Sequence, residues 1–218
     1  MESAILTSFL VLLGLEFIFE SILNELNLRH VKACWAEKKV PEAFQNKISP
    51  EDYDKSIAYT LIHGRLERWD ESFDRVILLV VLFSGVLGVL DRFAARLAGD
   101  LSLGIYGGGI MFCLAVGLIF TLATLPTELY STFDIEAKFG FKKTTVALFV
   151  SDKLKGLALA VIVGAPFLYV VLWLMDVMGS YWWLWAFAFI TVFQLSMIVI
   201  FPTFIAPWFN KFEPLKEG

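Results

Sequence analysis

Five mostly apolar stretches, each close to the length of a bilayer-spanning helix, decide what this chain can become. They run over 4–23, 73–90, 101–125, 154–178 and 181–204. A helix needs about 20 apolar residues to cross a hydrocarbon core of about 30 Å. In lipid every backbone polar group has to be satisfied within the segment, which makes the helix the form such stretches take. Of the 218 residues, 58% are hydrophobic and 18% charged, against about 45–50% and about 25% in soluble domains. A water-soluble fold of this composition would expose a large greasy surface. The chain therefore reads as all-α and polytopic, with about five transmembrane helices and long cytoplasmic helical extensions, in a single membrane domain over 1–218. Its net charge of −4 gives no electrostatic footprint for nucleic acid. Cys34 and Cys113 form neither a CxxC nor a metal quartet.

Lysine and arginine predict the orientation. Segment 24–75 carries nine, segment 126–155 five and the C-terminal tail two, while the opposite compartment receives only Arg92 and Arg96. Sixteen against two places the N-terminus outside, in periplasm or lumen, and the C-terminus in the cytoplasm. The N-terminus has no positive stretch before its apolar run, so it reads as a retained anchor rather than a signal peptide.

The two long loops carry structure of their own. Ser49-Pro50-Glu51-Asp52 is a helix start: a serine cap, proline at the first position and acids in the first turn. Ile57, Ala58, Leu61, Ile62, Leu66, Trp69 and Phe73 then recur at three- and four-residue steps, and no proline intervenes before Leu90. The spacing predicts one helix of about forty residues, about 60 Å long, projecting from the membrane. In segment 126–155, Pro126 is expected to stop the third span and Gly140 to mark a helix end, with a further helix from Val146 leading into the fourth span. Gly104, Gly107, Gly108, Gly109 and Gly117 read as a packing face in the third span. No Lys-Ser/Thr follows them, which removes a phosphate loop.

Several of these residues together carry a family likeness. Leu125-Pro126, Tyr130, Phe133, Ile135-Glu136, Lys138, Gly140-Phe141, Thr144 and Asp152 form one motif. Phe201-Pro202, Ile205-Ala206-Pro207, Phe209-Asn210-Lys211-Phe212, Pro214-Leu215 and Gly218 form another, and Lys55, Tyr59 and Arg65 lie on the helix before the second span. Over most of residues 50–218 the chain resembles the type I CAAX prenyl endopeptidases, integral-membrane zinc metalloproteases. The resemblance implies a water-filled chamber among the helices, a peptide or protein substrate, and a cytoplasmic protease domain whose zinc site is an HExxH helix plus a later glutamate. That zinc motif is expected after Gly218. The two histidines, His30 and His63, do not begin an HExxH, so no catalytic residue and no metal ligand is assigned here, and the chain alone is expected to be inactive. The lipid bilayer and a protease domain, in cis or in trans, are the expected partners, and zinc is the cofactor expected of the full-length protein.

Two sets of candidate residues follow. Glu16, Glu20 and Asn24, spaced by four, make a polar stripe on the first span. Such groups are costly in a bilayer unless they face water or a partner. They line a hydrated cavity, pair with a lysine or arginine near the cytoplasmic face, or relay protons. By the resemblance, Tyr130, Asp134, Glu136, Lys138, Phe141, Lys142, Thr144 and Asp152 contact the protease domain or the substrate. Asp134 departs from the apolar residue more usual in the family, as Lys143 departs from its pattern, which leaves substrate preference open. His63 and Glu67, also four apart, read as a polar pair rather than a metal site. Competing functions are a small transporter or channel subunit using Glu16 and Glu20, and a non-catalytic membrane scaffold.

Overall fold

The computed structural model describes residues 2–36, 40, 48–141 and 144–209, and these contain helices and no strand. In order they are α1 (Glu2–Ala36), α2 (Pro50–Phe83), α3 (Val86–Asp100), α4 (Gly107–Tyr130), α5 (Glu136–Phe139), α6 (Val146–Val177), α7 (Trp182–Ile200) and α8 (Ala206–Phe209). A wider π turn, Ser131–Ile135, joins α4 to α5, and another, Phe201–Ile205, joins α7 to α8. Four helical stretches, Ser3–Ala36, Gly107–Phe139, Val146–Val177 and Gly179–Phe209, are long and apolar enough to cross a membrane; α2 with α3 makes a fifth, broken one. The fold is all-α and polytopic.

The expected boundaries hold where local chemistry sets them. Ser49 Oγ accepts from the Asp52 N–H at 3.1 Å and donates to Asp52 Oδ2 at 2.7 Å, and α2 begins at Pro50. Gly140, at φ 76°, ends α5. Its N–H reaches Ala137 O at 3.1 Å, and the Phe141 N–H reaches Glu136 O at 2.8 Å, the paired bonds of a left-handed helix stop. Thr145 caps α6 by accepting from the Leu148 N–H at 3.2 Å.

Three expectations are corrected. The helix predicted to run unbroken to Leu90 ends at Phe83, and α3 leaves at 68° to α2. Gly85, at φ 79°, makes this break, because glycine alone takes that conformation without strain. The third span starts at Gly107 rather than 101, since Ser102 and Gly104 turn the chain with φ 54° and 75°. Pro126 does not stop it: the helix passes through the proline to Tyr130 and continues by the π turn to Phe139. Thr127 and Thr124 hydroxyls donate to the carbonyls of Thr124 and Thr121, at 2.8 and 3.1 Å, re-satisfying backbone in the way prolines in membrane helices require.

The chain divides into two compact units. The first comprises Met1–Val81 and Phe120–Thr144. Here α1 meets α2 where Gly64 leaves room for Leu28: a Cβ on Gly64 would stand 2.8 Å from Leu28 Cδ2. Leu28, Leu61, Ile135 and Phe139 are buried.

The second unit comprises Leu82–Ile119 and Thr145–Gly218. Its contacts use small residues, as expected where lipid removes the hydrophobic drive between helices. Ala94, Ala98 and Ala186 are buried. A Cβ on Gly108 would lie 3.5 Å from Ala95 Cα, and one on Gly109 would lie 3.0 Å from Leu172 Cδ1. Phe167 of α6 packs on Phe193 of α7 with ring centroids 4.7 Å apart, and Tyr106 OH donates to Asp176 Oδ2 at 3.0 Å. The predicted glycine face thus narrows to Gly107–Gly109, for a Cβ on Gly117 would meet open space. Gly108→Leu should cost about 1–2 kcal/mol, because the neighbour it meets is backbone and cannot yield. A lower unfolding temperature for Gly108→Leu, with Gly117→Leu unchanged, is the expected pair of results in detergent melts.

Candidate functional site

Within the first unit, α1 and α2 form one seam. Positions 10, 13, 14, 17, 20, 24, 27 and 28 of α1 follow each other at three- and four-residue steps, so they lie along one face. Opposite them run the residues of α2 from Leu79 back to Tyr59.

Arg75 of α2 is the charged centre of the seam. Its Nη2 binds the Glu20 carboxylate directly and lies 4.0 Å from Glu16 Oε1. Its Nη1 donates to Glu71 O at 3.1 Å, and its guanidinium stands 5.0 Å from the centre of the Phe17 ring. The Arg75 side chain is only 16% exposed. One helical turn beyond Glu20, Asn24 Nδ2 donates to Gly64 O at 3.5 Å. Glu25 then accepts from Arg29 Nε and Arg68 Nη2, each at 2.9 Å.

Beside this pair the helices enclose a cavity of about 540 Å³ lined by Glu20, Asn24, Asn27, Tyr59, His63, Glu67 and Glu71, among others. A smaller cavity of about 230 Å³ lies on the other side of His63 and Glu67, walled by Asp70, Thr127, Glu128, Ser131 and Thr132. His63 separates the two. Its Nε2 is 3.4 Å from Ser131 Oγ, its Nδ1 is 3.9 Å from Glu67 Oε1, and its ring tilts against Tyr59 at 4.8 Å.

The family-like motif folds onto the same stretch of α2. Tyr59 meets Phe139 and Phe141 edge-on at 5.4 and 5.2 Å, and Lys55 Nζ sits 5.5 Å from the Phe141 ring centre. Gly140 permits this by turning Phe141 back, and Lys55 Nζ would lie 3.7 Å from a Cβ placed there.

The sequence-derived candidates fall as follows. Glu20 and Asn24 line the larger cavity; Glu16 stands outside it, beside Arg75. Tyr130 is exposed at the end of α4, Asp134 and Lys138 are exposed, and Glu136 and Thr144 are half-buried. Phe141 packs on Tyr59. Asp152 belongs to the second unit, where it accepts from Lys155 Nζ at 3.1 Å. Lys142 and Lys143 lie outside the described residues. Arg75, Asn27, Glu71 and Ser131 were not singled out from the sequence. For Arg75 a signal exists: it immediately precedes the apolar run Val76–Phe83.

Among the described residues no three His, Cys, Asp or Glu side chains are grouped to hold a metal. His63 and Glu67 are a pair without a third donor, short of the three protein ligands a catalytic zinc takes. The described residues do not fit a zinc site.

Comparison with known proteins gives a consistent picture. The family model described as CAAX prenyl protease N-terminal, five membrane helices, matches residues 29–211. A CAAX prenyl protease 1 homolog of Oryza sativa subsp. japonica is 31% identical over 207 residues, covering 94% of this chain and 48% of that protein. CAAX prenyl protease 1 of Saccharomyces cerevisiae is 29% identical over 209 residues, covering 93% of this chain and 45% of its own. The crystal structure of S. mikatae Ste24p matches with a TM-score of 0.79 at 30% identity, over 93% of this chain and 47% of that one. The chain spans about half the length of the curated relatives it matches.

Proposed function

Because this chain belongs to the CAAX prenyl protease N-terminal family, which has five membrane helices, we propose that it forms the helical chamber that receives an extended peptide and the surface on which a zinc protease domain docks. One observation carries the reading. The cavity of about 540 Å³ is walled by polar side chains, within helices whose other faces are apolar. Asn24, Asn27, Tyr59 and His63 offer hydrogen bonds to a peptide backbone. Glu20, Glu67 and Glu71 give the wall a negative sign, which favours a cationic chain. The zinc ligands come from the docked domain, in the same polypeptide or a separate one. Two features support docking near Tyr59: the exposed Asp134 and Lys138, and the packing of Phe139 and Phe141 on that ring.

The lysine and arginine bias supports a cytoplasmic C-terminus, on the side where the chamber meets its protease domain. A phosphatase reporter fused after Asp100 is then expected to be active, and one fused after Ser49 silent; the reverse pattern inverts the topology.

The test of the chamber uses the assembled protease: the polypeptide of the whole reading frame, or this chain co-expressed with a relative's zinc domain, given a fluorogenic prenylated peptide. Asn27→Trp, which fills the cavity, is expected to lower kcat/KM at least about tenfold, the loss of about 1.4 kcal/mol of transition-state binding. Unchanged cleavage sinks the chamber reading. Ion flux through liposomes carrying the chain, lost in Glu16→Gln, puts transport in its place.

A further inference from the structure

The seam between α1 and α2 changes character at one level. On one side of Arg75 lies the polar cavity. On the other lies a separate groove of about 330 Å³, whose wall is apolar: Leu10, Leu13, Gly14 and Phe17 from α1 with Val76 and Leu79 from α2. Ser72 and Arg75 close it at the polar end. Glu20 lines the cavity, Arg75 lines the groove, and the two side chains are bound to each other. The same face of α1 is thus apolar from Leu10 to Phe17 and polar from Glu20 to Asn27.

A ligand that uses both halves has a long apolar chain joined to a polar one. We propose that the groove holds the prenyl chain of a lipidated peptide whose backbone occupies the adjoining polar cavity, with the Arg75–Glu20 pair at the junction. This rests on the chamber reading given above, which supplies the peptide and its class of lipid. Charge complementarity chooses between this occupant and a bilayer phospholipid. A phospholipid with its tail in the groove would turn its phosphate toward Glu20, Glu67 and Glu71, whereas a peptide with basic side chains meets those carboxylates favourably. Size adds to the argument: one groove accepts one chain, and a diacyl lipid brings two.

Gly14 is the aperture. It lines the groove, and a Cβ built on it meets nothing within 4 Å. A large side chain there fills the groove without striking the protein. That makes Gly14→Trp a test that spares the fold.

The experiment uses the full chain in phosphatidylcholine nanodiscs and a short basic peptide carrying a farnesyl-type chain with a diazirine. Light is expected to cross-link the chain to residues 10–17 of α1 and 76–79 of α2, and excess unlabelled prenylated peptide to suppress it. Gly14→Trp is expected to abolish this labelling and to weaken binding of the prenylated peptide at least about tenfold, the worth of roughly two buried methylenes. It should leave the affinity for the unprenylated peptide unchanged. Gly117→Trp, also at an open position, should label as the parent does. Labelling that persists in Gly14→Trp, or that excess prenylated peptide fails to suppress, overturns the proposal. If both peptides bind equally, the groove assignment falls and the chamber stands. If neither binds, the chamber falls with it.

Discussion

Arg75→Met is expected to lower the stability of the purified protein by about 3 kcal/mol, more than any other single change to the seam. Arg75 is the cation bound to Glu20 and 4.0 Å from Glu16. Removing it leaves two carboxylates facing each other along one helix within an apolar stretch. Breaking one partner of a buried pair costs about 3–5 kcal/mol, chiefly from the charge left behind. The low end applies because the Glu20 side chain is 43% exposed to the cavity side. For a chain of this size the loss corresponds to roughly 6–12 °C in unfolding temperature. The cause can be isolated by a second substitution. Glu20→Gln in the Arg75→Met background should recover at least about half of the loss, since the orphaned charge is then gone. A single variant that melts within about 1 °C of the parent would mean that water, not Arg75, satisfies Glu20.

Tyr59→Ala should cost about 3 kcal/mol as well, by a different route. The ring touches His63, Phe139 and Phe141, so truncation removes the contact that holds α5 and its glycine stop against α2. Large aromatic-to-alanine changes in cores cost about 3–5 kcal/mol, and the half-buried position again selects the lower figure. Tyr59→Phe keeps all three ring contacts and should stay within about 0.5 kcal/mol of the parent. Hydrogen exchange adds a local readout. Amides of Glu136–Phe141 should exchange faster in Tyr59→Ala while those of α7 keep their protection. Uniform loss of protection across both units would show that Tyr59 supports the whole fold rather than this junction.

What could be read from the sequence depended on whether the cause was local. The start at Ser49-Pro50 and the stop at Gly140 follow from side chains and backbone within one turn, and both were legible. The stripe Glu16, Glu20, Asn24 was legible because spacing by four fixes a helix face. Its partner was not, because Arg75 lies 55 residues from Glu20 and nothing periodic connects them. The break at Gly85 and the passage through Pro126 were both misjudged, for one reason. A glycine or proline in an apolar run states only a local preference, and the outcome turns on what re-satisfies the backbone: a left-handed turn at Gly85, and threonine hydroxyls near Pro126. The family likeness drew attention to residues 130–144, but not to the Tyr59 ring as the place where that motif lands.

The π turn at Ser131–Ile135 has a consequence for heredity. Such a turn holds one residue more than the α turn it replaces, so it is an insertion preserved in the backbone. Each residue advances a helix by about 100°. Deleting any one residue of 131–135 would swing Phe139 away from Tyr59 or Ser131 away from His63, even if every remaining side chain were kept. The same holds at Phe201–Ile205, before the last described helix. In these two short stretches the number of residues is itself a conserved quantity: descendants of this chain can change the letters there far more freely than the count.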